Sequence, residues 1–257
     1  MSRDSTAKVL TVAFVLCVIC SVLVSAAAVG LSSRQERNKV EEKRKNILQA
    51  AGIYQEGVPV EEQFSNIQPR IVDLETGEFT SDFDVATFNS RQAARDPKTG
   101  YKIPPDLDLA AIKIRSRYKD VYLLMADDRL QQLILPVHGK GLWSTMYGFV
   151  SLAEDLSTVN GFAFYEHGET PGLGGEVDNP AWKALWPGKR IYDDAGSTRI
   201  EVLKGTVDKN SENAVYQVDG LAGATLTGRG VSNLLKYWMG DNGYKPFLEN
   251  LRREGVK

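Results

Sequence analysis

Residues 111–165 read AIKIRSRYKDVYLLMADDRLQQLILPVHGKGLWSTMYGFVSLAEDLSTVNGFAFY. β-Branched and aromatic residues dominate five short runs in this stretch: Ile112 to Ile114, Val121 to Met125, Leu133 to Pro136, Leu142 to Val150 and Phe162 to Tyr165. Glycines and the pair Asp127-Asp128 separate several of them. The intervals are too short to hold crossover helices, which parallel neighbours need, so an antiparallel sheet is expected.

Downstream, the periodicity changes. Val231, Leu234, Leu235 and Trp238 fall at i, i+3, i+4 and i+7, which predicts a helix after Thr225 that Gly240 stops. A second amphipathic helix is expected from about Lys245 to Arg253, with Phe247, Leu248 and Leu251 inward. Upstream lie short strand candidates and turns, including Arg70 to Asp73 and the loop-like Asp96 to Gly100. The fold class is therefore α+β: one N-terminal transmembrane helix, then a mostly antiparallel sheet domain with C-terminal helices.

The transmembrane expectation rests on Val9 to Leu31, which carries no charged residue. At ~1.5 Å per residue it gives about 35 Å of helix, enough for a hydrocarbon core of ~30 Å. Lys8, the apolar run and Ala26-Ala27-Ala28 also resemble a cleaved signal peptide, but the run continues past that site, which favours a retained anchor. Both cysteines, Cys17 and Cys20, lie inside it and read as small apolar residues. Ser32 or Ser33 could cap a polar helix to about Ala51, with Val40, Ile47, Leu48 and Ala51 on one stripe and Gly52 as its stop. The expected division is thus 1–31 anchor, 32–52 polar juxtamembrane helix and 53–257 soluble domain. Arg3 and Lys8 precede the span, whereas Arg34, Arg37, Lys39, Lys43, Arg44 and Lys45 follow it, so charge alone leaves its orientation open.

A formal charge of -2 offers no field for counterion release from nucleic acid, so no nucleic-acid partner is expected. His138 and His167 are the only histidines, and neither has a partner at metal-ligand spacing. No P-loop or dinucleotide fingerprint occurs.

One run does suggest chemistry. Asp219-Gly220-Leu221-Ala222-Gly223-Ala224-Thr225 lies between a strand candidate, Ala214 to Val218, and the helix after Thr225. By local features it is a strand-to-helix turn with Thr225 or Thr227 as N-cap. The same place would welcome a phosphate, because a helix N-terminus presents free N–H groups and small residues admit a bulky group.

The run is similar to the flavinylation motif Asp-x-x-(Ser/Thr)-Gly-Ala-Thr of flavin-binding electron-transport subunits, departing from it at Ala222. Together with the N-terminal span, the strand Leu142 to Gly148 and the loop Glu169 to Gly175, it makes the chain resemble the C subunit of sodium-translocating NADH:quinone oxidoreductases. The resemblance implies FMN joined through its phosphate to Thr225, with Asp219, Gly223 and Ala224 in the attachment motif. It implies flavin contacts from Glu169, Thr170, Gly172, Leu173 and Gly174. Strand alternation would put Trp143, Thr145 and Tyr147 on one face, and the resemblance makes Trp143 and Thr145 a wall beside the flavin. The threonine is then a tether, no residue of the chain is itself catalytic, and no metal is expected. The implied partners are the other membrane and flavin subunits of the complex and a flavin transferase. The implied location is the bacterial inner membrane, single-pass, with the domain on the periplasmic side. Two alternatives stay open: the equivalent flavin subunit of an Rnf-type electron-transport complex, and a non-redox, membrane-tethered binding or assembly module in which the Thr225 run only caps a helix.

Overall fold

An apolar, exposed stretch lies near the N-terminus. In helix α1 (Thr6–Ala50), the most apolar window of the segment Lys8–Ser32 has a mean hydropathy of 2.8 and none of that window is buried. By length and composition it can cross a membrane. The computed structural model describes residues 6–256, so Arg3 lies outside the described residues. Cys17 and Cys20 are free thiols exposed on the span. Helix α1 runs through Ser32 without a break, and the Ser32 hydroxyl donates to the Val29 carbonyl (2.8 Å), so it caps no second helix. Gly52, at φ +71°, ends the helix, and the Ile53 N–H reaches back to the Leu48 carbonyl (3.0 Å).

Residues 44–257 form one packing unit. Its remaining elements are, in order, α2 (Val60–Gln63), β1 (Ile67–Asp73), β2 (Glu78–Thr80), α3 (Ser90–Ala93), β3 (Gly100–Lys102), β4 (Ile114–Ser116), β5 (Tyr118–Ala126), β6 (Arg129–Lys140), β7 (Thr145–Ala153), β8 (Val159–Glu166), α4 (Pro180–Lys183), β9 (Glu201–Val202), β10 (Gln217–Val218), α5 (Thr225–Trp238) and α6 (Lys245–Glu254). Six strands make the main sheet in the order β2-β1-β5-β6-β7-β8, with every neighbouring pair antiparallel. Asp127 and Asp128 both take positive φ, 49° and 58°, and close the two-residue hairpin between β5 and β6. Among the described residues, the one parallel pair is the short β9–β10 ribbon.

Strand alternation gives the sheet two apolar faces. Leu133, Leu135 and Val137 of β6, with Met146, Val150 and Leu152 of β7, join the larger core beside Val231, Leu234, Leu235 and Trp238 of α5 and Phe247, Leu248 and Leu251 of α6. Ile134 and Phe149 face the other way, onto Ile47, Leu48, Ala50 and Ala51 from the last turns of α1. On this second face the Arg44 guanidinium lies over the Phe64 ring (5.2 Å) and the Lys45 ammonium over Tyr54 (5.1 Å). Val40, placed on the same stripe by spacing, is exposed.

Three strands begin later than expected. Lys113 adopts φ 64°, so β4 starts at Ile114 and not at Ile112. Residues Glu212–Tyr216 form a 3-10 turn, leaving only Gln217 and Val218 extended. Leu142 to Ser144 form a turn, and β7 starts at Thr145.

Candidate functional site

The turn at Leu142 to Ser144 has a specific cause. The Glu169 carboxylate, 5% exposed, accepts from the Leu142 N–H (3.2 Å), the Trp143 N–H (2.9 Å) and the Ser144 N–H (3.2 Å), which wraps this segment around one anion. Its Oε2 also accepts from the Thr227 hydroxyl (2.6 Å). Burial pushes the Glu169 pKa upward, but the hydrogen bonds from Thr227 and the three backbone N–H groups outweigh it, so the carboxyl is held below its ordinary value. Trp143 therefore does not share a β7 face with Thr145 and Tyr147. Trp143 is 66% exposed in the turn, and its carbonyl accepts from Lys140 Nζ (3.0 Å).

Two glycines make this convergence possible. A Cβ on Gly141 would stand 2.5 Å from Glu169 Oε1, and one on Gly174 would stand 2.6 Å from Thr227 Oγ1 and 2.8 Å from Glu169 Oε2. The loop after β8 is shaped from within: the Thr170 carbonyl accepts from the N–H groups of Leu173 (3.1 Å) and Gly175 (2.9 Å), and Gly172 turns at φ +75°. Its base is held by His167. The Glu169 N–H donates to His167 Nδ1 (3.2 Å), so the ring proton sits on Nε2, which donates to Asp178 Oδ2 (2.7 Å).

The third segment is the motif itself. Gly223, at φ +71°, packs so closely that an added Cβ would lie 2.9 Å from Leu173 Cδ2. Ala224 is the N-cap of α5 and has no side chain to cap with, so neither Thr225 nor Thr227 is the cap that local spacing suggests. Thr225 is the first helical residue, half-buried, and no described residue hydrogen-bonds its hydroxyl. As in any helix, the first-turn N–H groups of Thr225, Leu226 and Thr227 have no intrahelical acceptor, because the first α-type bond runs from the Gly228 N–H to the Ala224 carbonyl (3.0 Å).

The structure thus joins the Trp143–Thr145 segment, the Glu169–Gly174 loop and the Gly223–Thr225 turn. Asp219 sits at the entry to that turn, where its Oδ1 accepts from the Val207 N–H (2.7 Å) and its carbonyl from Trp182 Nε1 (2.9 Å). Sequence reasoning missed Leu142 and Leu226, which are 41% and 52% exposed and, with Leu173 and Trp143, give these segments apolar side chains open to solvent. Leu226 was findable, since it lies off the buried stripe of α5. It also missed the carboxylate-binding turn and the His167–Asp178 pair, which have no sequence period. Among the described residues, no group of three His, Cys, Asp or Glu could hold a metal.

The FMN-binding domain family matches residues 141–240, from the glycine against Glu169 to the end of α5. The C subunit of the Na(+)-translocating NADH-quinone reductase of Pseudomonas aeruginosa is 49% identical over 256 residues, covering 98% of each chain. That of Yersinia pestis is 43% identical over 261 residues, covering 100% of this chain and 97% of its own. The crystal structure of Shewanella oneidensis NqrC superposes with a TM-score of 0.79 at 35% identity, covering 85% of this chain and 100% of that one. These relatives bear the quinone reductase name, which decides against the Rnf-type alternative, and the matched FMN-binding domain decides against a non-redox binding or assembly module. By near full-length identity and a shared fold, this chain belongs to the NqrC family, the C subunits of the Na(+)-translocating NADH-quinone reductase, and is a flavoprotein component of an oxidoreductase complex.

Proposed function

We propose that Thr225 carries FMN covalently through its phosphate, and that the chain passes electrons between other membrane and flavin subunits of a sodium-pumping NADH:quinone reductase. The observation that supports this most is the Thr225 hydroxyl at the first residue of α5, half-buried and hydrogen-bonded by no described residue. A flavin transferase would join Thr225 Oγ1 to the FMN phosphorus of FAD, with AMP leaving and the hydroxyl proton lost. The first-turn N–H groups of α5 and its partial positive charge would then hold the phosphate. Leu142, Trp143, Leu173 and Leu226 would bury apolar ring surface, and Thr145, Thr170, Gly172 and Gly174 would offer polar or close main-chain contact. Glu169 acts at one remove: its oxygens are engaged by four donors, so it fixes the walls. Bound FMN supplies the redox chemistry through its isoalloxazine ring.

The segment Lys8–Ser32 would anchor the chain in the bacterial inner membrane as a single span, with residues 53–257 as an FMN-binding domain on the periplasmic side. A covalent tether suits that side, where a dissociated cofactor would be lost. The full chain made with the transferase should give a flavin-fluorescent band after denaturing electrophoresis, retained in Thr225→Ser and absent in Thr225→Val. A colourless wild-type band defeats the attachment reading. A reporter fused at the C-terminus should be active only outside the cytoplasm, and cytoplasmic activity would reverse the topology.

A further inference from the structure

The attachment reading leaves His167 without a task. Its side chain is 13% exposed, and both ring nitrogens are committed to the two ends of one loop. At the near end, Nδ1 accepts the Glu169 N–H (3.2 Å); at the far end, Nε2 reaches Asp178 Oδ2 (2.7 Å). Between these two residues lie Thr170, Gly172, Leu173 and Gly174. Gly168 adds a bond from its N–H to Ser144 Oγ (2.6 Å), which ties the same base to the turn before β7. Asp178 is also 3.6 Å from Lys183 Nζ, so the carboxylate that orients the imidazole is held from its other oxygen. The Glu169 carboxylate points away, toward Leu142 to Ser144 and Thr227.

We infer that His167 is a positioning residue for the flavin, stapling the loop of Thr170 and Leu173 closed by holding the Glu169 N–H at one end and Asp178 at the other. The inference rests on the reading of that loop as a flavin contact. Without the staple, the internal bonds to the Thr170 carbonyl and the Glu169 carboxylate's bonds persist, but the loop loses its tie to Asp178, and Leu173 loses its fixed place against Gly223. The staple does not touch Thr225, and Glu169 reaches Thr227 of the first turn through its carboxylate and not through the N–H that His167 holds, so attachment and positioning are separable.

The test uses the full chain, made with and without the transferase. In His167→Ala, the fluorescent band at Thr225 should persist, while iodide quenching of the flavin rises several-fold and its absorption maximum and midpoint potential shift. In the protein made without transferase, the Glu169 amide should exchange with deuterium many-fold faster than in wild type. His167→Asn keeps an acceptor for the Glu169 N–H in the manner of an Asx turn, and should restore amide protection but not the flavin properties, because it cannot span to Asp178. Wild-type quenching, potential and Glu169 exchange in His167→Ala would overturn the inference while leaving attachment intact. A colourless wild-type band with fast Glu169 exchange in His167→Ala would instead remove the flavin role and leave the staple.

Discussion

Thr227 Oγ1 donates a 2.6 Å hydrogen bond to Glu169 Oε2, so Thr227, two residues past the motif, serves the buried carboxylate, while no described residue hydrogen-bonds the Thr225 hydroxyl. Removing the carboxylate strands three part-buried N–H groups and a buried hydroxyl. Glu169→Ala should cost about 3 kcal/mol, the range for hydrogen bonds to a charged group, read as a lower urea midpoint with unchanged slope.

The same bonds give a pH dependence with a definite sign. Burial opposes ionisation, but the donors hold the folded-state pKa of Glu169 below its unfolded value. Its stabilisation is therefore complete above the unfolded value and is lost as pH falls through the depressed one. The stability difference between wild type and Glu169→Gln should be largest near neutrality and shrink on acidification.

Gly174→Ala would place a methyl 2.6 Å from Thr227 Oγ1 and 2.8 Å from Glu169 Oε2. Neither atom can retreat without breaking the bond they share, so the expected cost is ~1–3 kcal/mol, seen as a lower Tm.

Gly223→Ala meets two penalties. The backbone at φ +71° disfavours any side chain by ~1–2 kcal/mol, and the new methyl presses on Leu173 Cδ2 at 2.9 Å. Flavin incorporation, measured as in-gel fluorescence per mole, should fall sharply with overall helicity preserved.

Truncation distinguishes the two parts of α1. A chain beginning at Arg44 keeps Ile47, Leu48, Ala50 and Ala51, all at most 3% exposed, and should melt as one cooperative unit. A chain beginning at Ile53 uncovers Ile134 and Phe149 and should lose more than ~3 kcal/mol, the scale of deleting several buried side chains.

What was legible in the sequence was what has a period. The stripe of Val231, Leu234, Leu235 and Trp238 foretold α5, and the apolar runs around Asp127-Asp128 foretold an antiparallel hairpin, because burial alone sets both. Leu142 to Ser144 read as strand from the same alternation, yet an anion 25 to 27 residues away bends them. Thr225 looked like a cap because threonines often are; Ala224 holds that place, and only the three-dimensional arrangement frees the hydroxyl. The resemblance singled out Thr225 as the proposed attachment point, where local physical chemistry alone did not tell it from Thr227.

The Glu169 cluster also fixes when this region can exist during folding. Helix α5 can form from neighbours within a few residues, but the bonds at Glu169 close loops of 27 residues to Leu142 and 58 to Thr227, and such distant closures come after local ones. The setting around Thr225 is therefore complete only once β7, β8 and α5 have assembled. A modifying enzyme that recognises this setting would read a finished chain and pass over a nascent one, making cofactor attachment a checkpoint on folding.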